Sequence, residues 1–302
     1  KIRLLEPSIS FKGKENEDWK PIATRLRQSL IGPVEESGIL EDSSRLAIVP
    51  FGILHDLPFA VLTKKENGRD RFLIEEYVLF FPPSVTFLAV ESGGVKPKGL
   101  LSVGRNSTKE NDLPPLRFAV EEARSVAYIF SGQSRLEEGA SETELKKLAP
   151  MVSHLHIATH AVAEPDMPLF SRMLLGNSKQ DDGSLTVSEM FKLGIDAELV
   201  TIAACEGAKS FSVDTEQLVE IDRLGLAEAF LHAGSKSVLA SLSPVSDEST
   251  TELMKSFYKN LLTEEKADSL ALAQRSMLKG EIKEKFTHPR YWSNFVLIGT
   301  NR

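Results

Sequence analysis

Short apolar runs alternate with segments of helical period along most of the chain. The runs contain few polar residues, which is typical of strands buried on both faces of a parallel sheet. We predict strands at Leu46–Val49, Val78–Phe81, Leu100–Val103, His154–Ala158, Leu199–Ala203, Ser237–Ala240 and Phe295–Ile298. Because these strands alternate with helices, the pattern predicts an α/β fold with a mainly parallel sheet.

The helical segments carry start and stop signals. Glu144 follows Ser141 by three residues, a capping-box pattern that predicts the helix Ser141–Leu148. The helix Leu224–His232 is expected to close on Gly234, since glycine readily adopts the left-handed conformation found after a helix. The apolar period predicts further helices at Leu116–Phe130, Asp247–Leu262 and Ala267–Lys279.

A Gly-, Pro- and Lys-containing stretch separates two parts of the chain. It spans Glu91–Gly99, between apolar runs, and is typical of a boundary. We therefore expect a smaller N-terminal α/β subdomain over residues 1–95 and a larger domain over residues 96–302. Within the larger domain, Asp181-Asp182-Gly183 predicts a turn in a surface hairpin or loop.

Composition narrows the class of protein. The 302 residues are 41% hydrophobic and 26% charged, as in ordinary globular proteins. The net charge of −7, without a long Lys/Arg cluster, argues against direct nucleic-acid binding. The single cysteine excludes an internal disulfide and favours a reducing, cytoplasmic location. No apolar run approaches the roughly 20 residues that cross a bilayer, so no membrane partner is expected.

Two of the predicted strands end in residues that could carry chemistry. His160 follows the strand His154–Ala158, and Cys205 follows the strand Leu199–Ala203. Ligands of open parallel sheets bind at the carboxyl ends of the strands. If these two strands are neighbours, about 4.8 Å apart, both side chains can reach one substrate carbonyl.

An imidazole beside a thiol can take its proton and leave a nucleophilic thiolate. We therefore predict His160 as general base and Cys205 as nucleophile, with the backbone N–H groups of Ala161 and Cys205 as oxyanion donors. Ala204-Cys205-Glu206-Gly207 matches most of the caspase signature, in which a histidine lies about 50 residues upstream. Here the separation between His160 and Cys205 is 45 residues.

Several further motifs occur in a fixed order. They are Val49–Ala60, His156–His160, Asp182–Thr186, Ala204-Cys205, Gly225–Leu231, Ser241–Asp247 and His288–Trp292. In these motifs the sequence resembles the CHAT domain, a caspase- and separase-related peptidase family usually found with TPR repeats. The resemblance runs from about residue 46 to the C-terminus. Ala161 stands where the family usually has Gly, and Ser243 where it usually has Trp, so we expect the oxyanion site and the pocket to differ in shape from those of the family.

The resemblance implies a fold, an activity and partners. The implied fold is a caspase-like three-layer α/β/α sandwich with a mostly parallel sheet, preceded by a smaller degenerate protease-like subdomain. The implied activity is a cysteine endopeptidase with a His160–Cys205 dyad and no cofactor. The implied partners are a protein substrate and a regulatory TPR segment, and the absence of an initiator Met suggests a processed or partial chain.

The resemblance also implies a preference for Arg or Lys before the scissile bond, at the position termed P1. In the related separases an acidic side chain after an equivalent strand selects a basic P1 residue. The matching segment here places Asp247 in the S1 pocket, with Asp214 as a weaker second candidate. A carboxylate facing Arg or Lys would form a charge-assisted hydrogen bond.

Three alternatives stay open at the level of sequence. Asp247 could instead cap the helix that follows it. His154, His156 and His160 could form part of a metal site, although the sequence offers no convincing further ligands. The chain could also be a catalytically silent or latent protease-like scaffold that partner domains regulate.

Overall fold

The structure is a computed structural model that describes residues 17–89, 99–106, 113, 115–164, 166–203, 225–243 and 245–301. Its strands are β1 Arg45–Ala47, β2 Thr63–Glu66, β3 Arg69–Phe72, β4 Val78–Phe80, β5 Leu100–Gly104, β6 Gln133–Leu136, β7 His154–Ala158, β8 Ala161–Val162, β9 Arg172–Leu174, β10 Ser184–Thr186, β11 Leu199–Ile202, β12 Ser237–Ser241 and β13 Phe295–Gly299. Its α-helices are α1 Trp19–Leu30, α2 Gly32–Glu36, α3 Leu73–Glu76, α4 Ala119–Ile129, α5 Glu142–Leu148, α6 Val187–Met190, α7 Leu226–His232, α8 Asp247–Asn260 and α9 Lys266–Leu278.

Short 3-10 segments complete the described elements. They span Gly52–Asp56, Phe59–Val61, Thr86–Ala89, Glu137–Gly139, Ala149–Met151, Pro168–Phe170, Glu284–Phe286 and Pro289–Tyr291. Among the residues that the structure describes, no helix has the length and the apolar character that would let it cross a membrane.

A six-stranded sheet forms the centre of the molecule. Its order is β13-β12-β11-β7-β5-β6, and only β13 runs antiparallel to its neighbour. The β1–β4 pair joins this sheet beyond β13 through a parallel bridge between Phe81 and Ile298. Because β5, β7 and β11 run parallel to one another, their carboxyl ends lie at one edge of the sheet.

Helices cover both faces of this sheet and produce three layers. On one face α4, α8 and α9 pack around an apolar cluster that includes Leu239 and Phe257. On the other face α5, α6 and α7 enclose a second cluster that includes Ile157 and Phe230. The α/β/α arrangement with a mostly parallel sheet confirms the predicted fold class.

The predicted strands are all present, with boundaries within two residues of those expected from the sequence. Ser141 accepts a hydrogen bond from the Glu144 N–H and so caps α5 as predicted. Gly234 follows α7 with φ +115°. A Cβ at this position would clash with the Ile195 carbonyl oxygen, so only glycine fits. The β2–β3 hairpin, β6 and α1 were not predicted, because their amphipathic patterns are short or start in a polar context.

The expected boundary near residue 95 remains a prediction. Residues on both sides of it contribute to one apolar cluster, which includes Trp19 and Phe72 from the first part and Trp292 from the second. The Phe72 and Trp292 rings meet edge to face with centroids 5.7 Å apart. The first part therefore packs closely against the C-terminal end of the chain.

Candidate active site

The carboxyl ends of β7 and β11 lie side by side. The two strands are paired in parallel, with Ile157 opposite Ile202, and the Ala203 N–H donates to the Ile157 carbonyl at 2.9 Å. On the other side of β7, the Arg105 N–H donates to the Ala158 carbonyl at 3.0 Å. The neighbour relation on which the predicted His–Cys pair depends is therefore present in the sheet.

Thr159 fixes the turn that carries His160. Its hydroxyl donates to the Leu174 carbonyl, and the Leu174 N–H donates at 2.9 Å to the His160 carbonyl. Thr159 is buried, and His160 as a whole residue is only 6% exposed. These two bonds fasten the strand end to β9, so that His160 leaves the sheet in a defined direction. Ala161, the first residue of β8, pairs with Met173 of β9.

Two of the predicted site residues lie outside the described residues. Cys205, predicted as nucleophile and oxyanion donor, and Asp214, the weaker S1 candidate, both fall within 204–224. Their roles stay predictions. The described part of β11 ends directly before this segment, at the same edge of the sheet as His160.

Asp247 is half-buried at this edge and joins two helices. Its Oδ2 accepts hydrogen bonds from the N–H groups of Arg117, at 2.6 Å, and Phe118, at 2.8 Å. These amides directly precede α4, whereas Asp247 is itself the first residue of α8. The carboxylate therefore holds the start of α4 against the start of α8. Since Ser246 is the N-cap residue of α8, the predicted alternative of a simple cap is not the geometry observed.

A buried carboxylate–imidazole pair lies beneath the site, and sequence reasoning missed it. His156 Nε2 is 3.1 Å from Glu122 Oε1, and both side chains are inaccessible to water. The Thr251 hydroxyl, which has one proton to donate, lies 3.1 Å from Glu122 Oε2 and 3.1 Å from the Asp247 carbonyl oxygen. Tyr258 packs edge to face on the imidazole with ring centroids 5.4 Å apart.

Burial raises the pKa of Glu122, although the contacts with His156 and Thr251 oppose that rise. The pair links α4 to β7, the strand that leads to His160. A signal was present in the sequence, because Glu122 shares the helical spacing of the buried residues Ala119 and Val126. A carboxylate on the apolar face of a helix indicates a buried partner.

The three histidines of the alternative metal site do not converge. His156 contacts Glu122, and His154 Nδ1 lies 3.0 Å from the Ser153 hydroxyl at the opposite end of β7 from His160. In the part of the chain that the structure describes, one group of carboxylates, Glu142, Asp181 and Glu189, is close enough to hold a cation.

The ammonium of Lys146 lies among these three carboxylates and forms an ion pair with each of them. Its Nζ lies 2.5 Å from Glu142, 2.9 Å from Asp181 and 2.9 Å from Glu189. Burial lowers the pKa of Lys146, but the three carboxylates together raise it above its ordinary value. The cluster is therefore an internal ion-pair network that ties α5 to the β9–β10 hairpin.

The architecture is that of the caspase-like cysteine proteases. Separase in a separase–securin complex from Saccharomyces cerevisiae superposes with a TM-score of 0.51 at 14% identity, over 81% of this chain and 14% of that chain. The model of the CHAT domain matches residues 20–300, and the chain belongs to this family.

The chain is similar in sequence to two curated proteins. Tetratricopeptide repeat protein 28 from Homo sapiens is 26% identical over 345 residues, and so is its Mus musculus counterpart. Each alignment covers 97% of this chain, whereas the chain spans only 14% of the length of either relative.

Proposed function

We propose that this chain is a cysteine endopeptidase in which His160 is the general base and Cys205 the nucleophile. The observation that carries the proposal is the parallel pairing of β7 with β11, whose ends precede these two residues at one sheet edge. Membership of a family with a caspase-like fold supports the same assignment. The buried position of His160 supports it too, because a site shielded from water strengthens charge interactions with a thiolate.

The proposed reaction proceeds through a thioester. The imidazole of His160 takes the proton of the Cys205 thiol, and the sulfur attacks the peptide carbonyl carbon. The N–H groups of Ala161 and Cys205 stabilise the oxyanion of the tetrahedral intermediate. The imidazolium then gives its proton to the leaving amine, and the carbon–nitrogen bond breaks. Water, deprotonated by His160, hydrolyses the thioester and restores the thiol.

We assign the selection of a basic P1 residue to Asp247, with Asp214 as a weaker second candidate. The position of Asp247 at the same edge as His160 supports this assignment. Its Oδ2 already accepts two backbone hydrogen bonds, so a substrate cation would be held through Oδ1. Two short bonds from backbone N–H groups also hold the carboxylate in one orientation, which reduces the ordering cost of binding a cation.

The test is cleavage of a fluorogenic peptide library in which the P1 residue is varied. We expect cleavage after Arg and Lys by the wild type and none by Cys205→Ala or His160→Asn. Asp247→Asn should lose the basic preference by about tenfold or more. Glu248→Gln is the matched control, because Glu248 is the next residue of α8 and its carboxylate pairs with Lys285 instead.

A latent or silent scaffold is the second candidate function. The observation that favours it is the name of the curated relatives, which are TPR proteins many times longer than this chain. On this view an attached TPR segment regulates the domain. Labelling of Cys205 by a thiol-directed peptide electrophile separates the two candidates. A protease should need His160 for rapid labelling, whereas a scaffold thiol should react equally in His160→Asn.

A further inference from the structure

The loop between β8 and β9 exposes a cluster of large apolar side chains. Met167, Leu169 and Phe170 are 56%, 44% and 59% exposed, all within four consecutive residues. Single exposed apolar residues are common on protein surfaces, but contiguous ones are typical of interaction sites. The cost of hydrating them is about 25 cal/mol per Å² of apolar surface, so a partner that covers them gains this free energy.

The backbone of this loop is held in place by several hydrogen bonds. The buried Ser171 hydroxyl accepts the Glu164 N–H at 3.0 Å, and the Ser171 carbonyl accepts the Val187 N–H at 2.8 Å. The Phe170 N–H donates to the Met167 carbonyl at 2.9 Å and closes the short 3-10 turn. Arg172 pairs with the Glu164 carboxylate at 2.8 Å across the base of the loop. The apolar side chains therefore project from a braced backbone, which lowers the ordering cost of binding.

The β8–β9 hairpin connects this loop directly to His160. Val162 pairs with Arg172 in this antiparallel hairpin. Phe170 lies two residues from Arg172 on the side of the loop, and His160 lies two residues from Val162 on the opposite side. At about 3.3 Å per residue, His160 and Phe170 are about 13 Å apart along the strand direction, and the two strands are about 5 Å apart. An extended peptide covers the same length with about four residues.

We propose that Met167, Leu169 and Phe170 form a subsite that binds an apolar side chain of the peptide substrate. The bound residue lies within about four positions of the scissile bond, as the hairpin length requires. The occupant is the substrate because the loop follows β8, which begins directly after His160. This inference rests on the proposed endopeptidase function and adds a second specificity element to the P1 preference.

The experiment uses peptides that carry Arg at P1 and either Leu or Asp at each of the four positions on either side of the scissile bond. The wild type should favour Leu over Asp at one position by about tenfold in kcat/KM, and Phe170→Ser should abolish that preference. The matched control is Phe51→Ser. Phe51 is 69% exposed and follows β1, which runs parallel to β13 and so ends at the opposite edge of the sheet.

A binding measurement separates failure of this inference from failure of the proposed function. Fluorescence anisotropy of the same peptides with Cys205→Ala should show tighter binding of the Leu peptide, and the double variant Cys205→Ala/Phe170→Ser should lose it. Wild-type turnover with a Leu preference that Phe170→Ser retains would overturn the subsite alone. Absent turnover with Phe170-dependent binding would contradict the proposed function and support the subsite. Equal binding of both peptides would overturn the subsite in either case.

Discussion

His154 is expected to make the protein sensitive to mild acid. It begins β7 at the edge of the sheet opposite His160, with its ring tilted against Phe130 at a centroid distance of 4.7 Å. Burial lowers the pKa of His154 to about 4 from an ordinary value of 6.5, and the nearby Lys266 ammonium contributes to the decrease. Lys266 is itself buried and donates hydrogen bonds to the Glu198 carbonyl and the Thr300 hydroxyl.

The sign of the effect follows from the two pKa values. Between pH 6.5 and about 4 the unfolded chain binds a proton at His154 that the folded protein does not. Stability is therefore fully present above pH 6.5 and is lost as the pH falls towards 4. Since one pKa unit corresponds to about 1.4 kcal/mol, the contribution of His154 to this loss is about 3 kcal/mol.

The assay is urea unfolding followed by tryptophan fluorescence at half-unit steps from pH 4 to pH 7. His154→Gln should lose about 3 kcal/mol less than the wild type over this range, because glutamine takes up no proton. Lys266→Met is the mechanistic control. It removes the second cause of the low pKa, so its loss of stability on acidification should be smaller than that of the wild type. If the wild type and His154→Gln lose stability in parallel, the low pKa of His154 is not a cause of the acid sensitivity.

Two further predictions concern buried ion pairs. Lys146→Met should lower the free energy of urea unfolding by about 3 kcal/mol, because the buried Glu142 loses its counter-charge. The control Lys147→Met, at an exposed position, should change it by less than about 1 kcal/mol. Equal effects of the two substitutions would show that the Lys146 ion pairs do not stabilise the fold. In a double-mutant cycle, Glu122→Leu and His156→Leu should each lower the free energy of unfolding by about 3 kcal/mol, because each leaves one buried polar group without its partner. The double variant should lose much less than the sum of the two. Additive costs in thermal and urea unfolding would show that the pair is not coupled.

The positions of the sheet's main strands could be predicted from the sequence. Runs such as Leu199–Ile202 are apolar at every position except Thr201 and buried at all of them, and a strand covered by helices on both faces requires such a run. The cap at Ser141 and the glycine at Gly234 were also predictable, because they depend only on backbone chemistry within a few residues. The short strands β8, β9 and β10 could not be predicted, since their pairing is set by how the chain leaves His160.

The candidate site divides in the same way. His160 and Cys205 could be singled out from the sequence because each follows an apolar run, and ligands bind beyond the carboxyl ends of parallel strands. Asp247 could also be singled out from the sequence. The two hydrogen bonds that its carboxylate accepts from backbone N–H groups about 130 residues earlier in the chain could not be predicted. Such a contact depends on how α4 and α8 pack, which no local pattern specifies.

The layered α/β fold, the family motifs and the residues proposed as base and nucleophile could all be predicted from the sequence. Local hydrogen bonding and apolar burial are sufficient to specify the strands and helices, because they act over one strand or one helical turn. Three relations emerge only in the folded protein: β7 and β11 are neighbours, Glu122 faces His156, and Lys146 lies among the three carboxylates. Those relations join elements far apart in the chain, and the packing of the whole core fixes them.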